Sequence, residues 1–264
     1  MSAGPLPPPI LLTIAGSDSG GAAGLQADLK TWAALGAYGM SAITAVTAQN
    51  SERVVAVHYL PPDFVAAQID AVLSDYGAVA IKTGFLGRVD IIAAVAGRLA
   101  YWRQQLSPRP FILIDPVLVN HRGESMFAPA VAAAYRDLLC PLADLMTPNT
   151  AEAVLLDRAG GGENVLVTGL AGKRVAREDE IVDVYGAGDR RVELPQPRLD
   201  TINTHGSGDT LSAAICAYRA QGHDCLEAIR RAQTFTHAAI RRGAAWRLGA
   251  GHGPLGYGGA LPDE

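Results

Sequence analysis

Short apolar runs recur along the chain and alternate with longer stretches of helical pattern. Ile10 to Ala15, Ala42 to Thr47, Val54 to Val57, Ala78 to Ile81, Phe111 to Ile114, Leu145 to Thr147 and Val165 to Val167 read as strands. Helices are predicted from about Gly24 to Leu35, from Pro61-Pro62-Asp63 to Tyr76, from Val89 to Gln104 and from Pro129 to Leu139. Two closing helices run from Gly208 to Gln221 and from Asp224 to Arg242. Strands that alternate with helices call for an α/β fold with a largely parallel sheet covered on both faces. In such folds polar chemistry gathers where strands deliver their C-terminal ends. Asp18, Gln49-Asn50, Lys82-Thr83-Gly84, Asp115-Pro116, Asn149 and Glu152 all fall there.

The 264 residues, 49% of them hydrophobic, suffice for one large domain from residue 10 to 264, preceded by a flexible Pro-rich tail over residues 1–9. The segment Gly249 to Gly259 reads as irregular. A net charge of −4 argues against nucleic acid or an anionic membrane as partner. No secretory signal is expected, and no apolar run approaches the ~20 residues of a membrane span. Cys140, Cys216 and Cys225 have neither CxxC nor zinc spacing and fit reduced thiols in a cytoplasmic protein.

The most specific segment is Thr204-His205-Gly206-Ser207-Gly208-Asp209-Thr210, followed at once by an apolar helical run. A glycine turn that opens a helix offers unpaired backbone N–H groups and the positive end of the helix dipole, a cradle for phosphate. Asp209 adds a proton acceptor beside it, the combination needed to pass a phosphoryl group to a hydroxyl. Gly186-Ala187-Gly188-Asp189 has similar letters, but its flanks Ile181 to Val184 and Arg191 to Leu194 alternate like strands, so it reads as a hairpin turn.

Other segments read two ways. Ala15 to Gly24 is dense in glycine and suits a backbone lying close over a flat ligand, with Asp28 and Lys30 following in the first helical turns. It is not a Walker A loop, since no Gly-Lys-Ser/Thr follows. Asp115 at a strand end fits Mg²⁺ or phosphate orientation, or a simple cap. Asn149 and Glu152 have the spacing of a capping box, which on spacing alone is the better reading, or face a nucleotide's metal. His205 reads as a phosphate contact or as the filler of a polar turn. Lys173-Arg174 and Arg177 read as solvated surface, and Trp32, Trp102 and Trp246 as packing residues.

Taken together, LLTIAGSDSGGAAGLQADLKT (11–31), AITAVTAQN (42–50), AIKTG (80–84), DPVLV (115–119), LMTPNTAEA (145–153) and NTHGSGDTLSAA (203–214) resemble the hydroxymethylpyrimidine/phosphomethylpyrimidine kinases of the ribokinase-like superfamily. That resemblance implies a three-layer αβα sandwich and an ATP- and Mg²⁺-dependent, cytoplasmic, homodimeric kinase of a small pyrimidine alcohol and its monophosphate. It implies Asp209 as base, with the amides of Gly206, Ser207 and Gly208 as anion hole. Gly16, Ala23, Asp28, Gln49, Phe85 and Val117 would surround the pyrimidine. Asn149, Glu152, Thr168 and His205 would face the nucleotide, with Asp115 and Glu152 toward Mg²⁺. Pyridoxal kinases share several of these motifs and are the first alternative, the more so because many pyrimidine kinases of this branch carry a cysteine where Asp209 stands; a non-catalytic pyrimidine-binding protein on the same scaffold is the second. Thr168 stands where relatives often place a lysine, with Arg122 as a substitute. The stretch between Glu152 and Val165, with Arg158 to Gly162, looks too short for the usual helix, and 119–127 is the expected lid.

Overall fold

The computed structural model describes residues 7–120, 123–158, 164–171, 180–188 and 190–258. Residues 1–6 of the tail, Arg122 in the expected lid, 159–162 of the shortened segment, Lys173, Arg174, Arg177, Asp189 and Gly259 lie outside them. A nine-stranded sheet has the order β3-β2-β1-β4-β5-β6-β7-β8-β9. Its parallel centre consists of β2 (Tyr38–Gln49), β1 (Ile10–Ser17), β4 (Ala80–Thr83), β5 (Phe111–Ile114), β6 (Leu145–Met146) and β7 (Val165–Ala171). Antiparallel strands close both sides: β3 (Val54–Tyr59) on one, β8 (Glu180–Ala187) and β9 (Arg190–Pro197) on the other. The Gly186 segment is a hairpin, with Ala187 opposite Arg190.

Helices cover both faces of this sheet. One face packs α1 (Gly24–Ala34), α6 (Ser207–Ala220) and α7 (Cys225–Gly243) against Leu11, Ala80, Leu113, Leu145 and Leu166. The other packs α2 (Pro62–Asp75), α3 (Val89–Gln105) and α4 (Pro129–Ala134) against Leu12, Ile14, Ile81, Ile112 and Ile114. The chain continues from α4 through wider turns over Tyr135–Leu139, and α5 (Thr150–Leu155) spans six residues. Trp32 is fully buried, and its Nε1–H donates to the Ala213 carbonyl at 2.9 Å, which fixes α1 against α6. Burying such a ring stabilises by about 3 kcal/mol or more. Trp246, by contrast, is 42% exposed and packs only in part. No helix among the described residues is long and apolar enough to cross a membrane.

Strand order reverses at β1, which has β2 on one side and β4 on the other. Loops leaving neighbouring strands in opposite directions open a crevice at their C-terminal ends. Residues 18–23 after β1 and 84–88 after β4 border this crevice.

Candidate active site

The period-two alternation of strands decides which polar side chains meet. Thr13 of β1 pairs in register with Lys82 of β4, and Lys82 pairs with Leu113 of β5. Asp115, two residues beyond Leu113, shares that face. From α1 comes Asp28, on the buried stripe with Leu25 and Trp32; from α6 come Asp209 and, one turn on, Ser212. Lys82 Nζ lies 2.7 Å from Asp28 Oδ1, 3.1 Å from Asp209 Oδ1 and 3.6 Å from Asp115 Oδ2. Thr13 Oγ1 donates to Asp28 Oδ2 at 2.6 Å, and Ser212 Oγ donates to Asp115 Oδ2 at 2.6 Å. Burial pushes the Asp28 carboxyl up to about 7, against the pull of Lys82 and with the Asp209 charge adding to it. Burial works against the Lys82 ammonium, but the three carboxylates outweigh it and hold it charged. Burial likewise raises the Asp115 carboxyl.

The two glycine-rich segments are built against each other. Asp18 accepts from the N–H groups of Gly20 at 2.8 Å, Ala22 at 3.0 Å and Ala23 at 2.9 Å, and so sets the curve of its own loop. Against the penalty of burial, its contact with His205 and these three amides hold the Asp18 carboxyl below the usual carboxylate range. Gly206 caps α6 with φ +85°, and a Cβ there would lie 1.9 Å from the Ala22 carbonyl oxygen. The N–H of Gly24, first residue of α1, donates to Asp209 Oδ2 at 3.0 Å. Both Asp209 oxygens are therefore held, one by Lys82 and one by Gly24. In the first turn of α6 the amides of Ser207, Gly208 and Asp209 have no intrahelical carbonyl to bond. That of Ser207 turns back to the Thr204 carbonyl at 3.1 Å, which leaves Gly208 beside the cap as the freer donor.

Ring-binding candidates line the neighbouring part of the crevice. Gln49 Nε2 lies 3.1 Å from His205 Nε2, whose ring is also 3.6 Å from Asp18 Oδ2. His205 therefore faces Gln49 and the loop after β1. Ser19 Oγ donates to the Gln49 carbonyl and accepts from the Gln49 N–H, both at 2.8 Å, and so straps the end of β2 to that loop. Phe85 packs against Gly16, where a Cβ would lie 3.0 Å from the ring. Its ring stacks with Tyr59 at 6.1 Å and meets Phe127 at 5.7 Å. Ala23 precedes α1, and Val117 is half-buried in the segment after β5. Asp28 is fully buried, with both oxygens committed to Thr13 and Lys82.

Asn149 and Glu152 form a full capping box at α5. Asn149 Oδ1 accepts from the amides of Ala151 at 2.9 Å and Glu152 at 3.0 Å. Glu152 returns one oxygen to the Asn149 N–H at 2.9 Å and the other to the Leu118 N–H at 3.0 Å. Thr168 bridges to Asn149 and donates its N–H to Pro148 at 2.9 Å, which joins β7 to this corner. Burial pushes the Glu152 carboxyl up to about 7 despite those amides. A folded value above the ordinary 4.5 means that the folded state holds the proton more tightly. This stabilisation is full below about pH 4.5 and lost as pH rises through 7. In EDTA and without ligand, Glu152→Gln is expected to flatten the decline of melting temperature between pH 5 and 8. An unchanged slope would exclude this group as its source.

Among the described residues, no cluster of three or more His, Cys, Asp or Glu side chains is arranged to cage a metal ion. Asp115 keeps Oδ1 clear of its Ser212 and Lys82 contacts, and Glu152 retains lone pairs beyond its two amides. That donor set fits a Mg²⁺ ion carried in on nucleotide phosphates with most of its waters, which needs only one or two carboxylates.

Two residues in these contacts were given no role from the sequence. Lys82 stood out as a polar residue at a strand end and within AIKTG (80–84), with no role attached to it. Tyr257, in the irregular C-terminal segment, places its OH 3.0 Å from Thr210 Oγ1, and Pro254 bridges to His205.

The phosphomethylpyrimidine kinase family matches residues 18–256. This chain belongs to that family. It is 42% identical over 260 residues to a hydroxymethylpyrimidine/phosphomethylpyrimidine kinase of Rhizobium meliloti, with 93% of this chain and 96% of that protein covered. Among solved structures, an ADP complex of Bacillus subtilis pyridoxal kinase superposes with TM-score 0.82 at 35% identity, covering 94% of this chain and 97% of that one. A phosphomethylpyrimidine kinase from Clostridium difficile does so with TM-score 0.73 at 33% identity, covering 88% and 99%. The three-layer ribokinase-like fold and the kinase class of the chain are thereby established.

Proposed function

We propose that the protein uses ATP to phosphorylate 4-amino-5-hydroxymethyl-2-methylpyrimidine and then its monophosphate, in thiamine biosynthesis. The observation that carries the phosphoryl-transfer chemistry is the doubly held Asp209 carboxylate at the mouth of the glycine turn, beside the loop after β1, and the pyrimidine acceptor is supported by the family match and the Rhizobium meliloti relative. Asp209 takes the proton as the hydroxymethyl O–H bond breaks. The alcohol oxygen then bonds to the γ-phosphorus and the bond to the departing ADP oxygen breaks. The cap of α6 supplies amides and the helix dipole for the charge that develops. Asp115 and Glu152 would hold Mg²⁺ through its waters. Mg²⁺, when bound, neutralises charge on the transferring phosphates. Gln49 is oriented by His205 and Ser19, and offers its remaining amide groups to the pyrimidine edge, with Phe85 and Gly16 beside the ring.

A second reading, a pyridoxal kinase, is favoured by the likeness to the Bacillus subtilis enzyme and by an aspartate at position 209. ADP release with Mg-ATP, offering hydroxymethylpyrimidine, its monophosphate and pyridoxal in parallel, decides between them. The pyrimidines are expected to have the higher kcat/KM, and Gln49→Ala is expected to lower that value for the pyrimidine about tenfold more than for pyridoxal. Preference for pyridoxal would overturn the assignment.

Homodimer formation is supported by the sheet edge, where Val54, Val55 and Val57 of β3 are exposed, Val55 at 67%. Sedimentation at micromolar concentration reads it, a monomer counting against it. A cytoplasmic setting is supported by three cysteines without a disulfide.

A further inference from the structure

Lys82 takes no part in the chemistry above, yet it is fully buried and faces three carboxylates. Burying a charge costs several kcal/mol unless partners and geometry offset it. Asp28 alone supplies a partner at 2.7 Å, so pairing by itself does not explain the convergence of Asp209 and Asp115 on the same ammonium. The contacts form a sequence across four elements. Thr13 on β1 holds Asp28 on α1, Asp28 holds Lys82 on β4, and Lys82 holds Asp209 on α6.

We propose that Lys82 is a positioning residue for phosphoryl transfer, fixing Oδ1 of Asp209 while the Gly24 amide fixes Oδ2. This rests on Asp209 being the base. An aspartate at a crevice otherwise has free χ1 and χ2 rotations. With both oxygens anchored, the plane of the carboxylate is set before the acceptor hydroxyl arrives. Positional errors of about 1 Å cost on the order of 10²-fold in rate, which is the advantage such anchoring confers. Asp28 and Thr13 act one step further back, keeping the ammonium on the Asp209 side of its cavity. The 3.6 Å contact to Asp115 links the same ammonium to the carboxylate on the nucleotide side.

The experiment compares Lys82→Met, the charge-balanced pair Lys82→Met with Asp28→Asn, and Thr13→Val, which keeps every charge. Each is assayed with Mg-ATP and hydroxymethylpyrimidine, and kcat is divided by the number of pyrimidine sites counted by calorimetry. For either Lys82 variant, kcat per site is expected to fall about 10²–10³-fold, with both KM values within about threefold. Thr13→Val is expected to lose about fivefold in kcat per site at unchanged KM. A purely structural lysine would lower the number of competent sites and leave kcat per site intact, and that result overturns the proposal. If both Lys82 variants fail to fold, Thr13→Val alone decides, and full kcat per site there overturns it as well. Loss of activity in Asp209→Asn with normal kcat per site in the Lys82 variants would sink the positioning role alone. Full activity in Asp209→Asn would sink the reading beneath it.

Discussion

Asp209→Asn is expected to lower kcat by about 10²–10⁴-fold, the range that a positioned general base contributes. Both KM values should stay within severalfold, because the proposed base would meet the reacting hydroxyl rather than the body of either substrate. The amide also disturbs its own anchoring. One of its two polar ends is an NH₂ group, and each Asp209 oxygen now faces a donor, Lys82 Nζ at 3.1 Å or the Gly24 amide at 3.0 Å. Two donors must therefore face each other on one side. Initial rates of ADP release at saturating substrates check this, with thermal melts to establish that the fold persists. Near wild-type turnover would remove Asp209 as base.

Gly206→Ala is expected to be nearly as damaging, through geometry instead of charge. A Cβ at this position would lie 1.9 Å from the Ala22 oxygen and 2.9 Å from the Ala22 carbonyl carbon, so backbone has to move. The φ of +85° adds a penalty of about 1–2 kcal/mol for any residue with a Cβ. Displacing the loop after β1 carries away the Gly24 amide that holds Asp209, and re-aims the first amides of α6. A loss of about 10²–10³-fold in kcat is expected, together with a lower melting temperature. Gly208→Ala is the informative contrast, because a Cβ there meets nothing within 4 Å. In a helix the change to alanine favours the fold by up to about 1 kcal/mol. Its melting temperature should hold or rise while turnover falls, if that open space receives the phosphoryl group. Unimpaired turnover in Gly208→Ala would place the phosphoryl group elsewhere.

Much of the architecture was legible because buried parallel strands are apolar and short. Phe111–Ile114 has the bounds its sequence predicts, and the Gly186 segment became a hairpin because its flanks alternate. β2 starts at Tyr38, four residues before the apolar run at Ala42. Gly39 hides that start: it stands within the strand because a Cβ there would lie 2.7 Å from Leu29 and Trp32. The glycine turn and Asp209 were legible from local order, a cap followed by an apolar helix. The placement of Lys82 among three carboxylates was not, since it depends on the register of β4 against β1 and β5 and on which face α1 and α6 cover. Tyr257 was hidden for a related reason. The segment that carries it has no period, and its place over Thr210 is set only by tertiary contact. Asn149 and Glu152 show the reverse case: the capping box was legible from spacing, and it is present in full.

The Gly24 amide and the Asp209 carboxylate stand 185 residues apart in the chain. Contacts of such separation form late, because a long loop has to close before they yield anything. During synthesis β1, the loop after β1 and α1 emerge well before α6, so the proposed acceptor side exists before the proposed base. The proposed site is therefore complete only once α6 has docked on α1 and the loop after β1. If Asp209 is the base, a chain that stalls before α6 carries none, and turnover reports that the loop after β1 and the start of α6 have found each other.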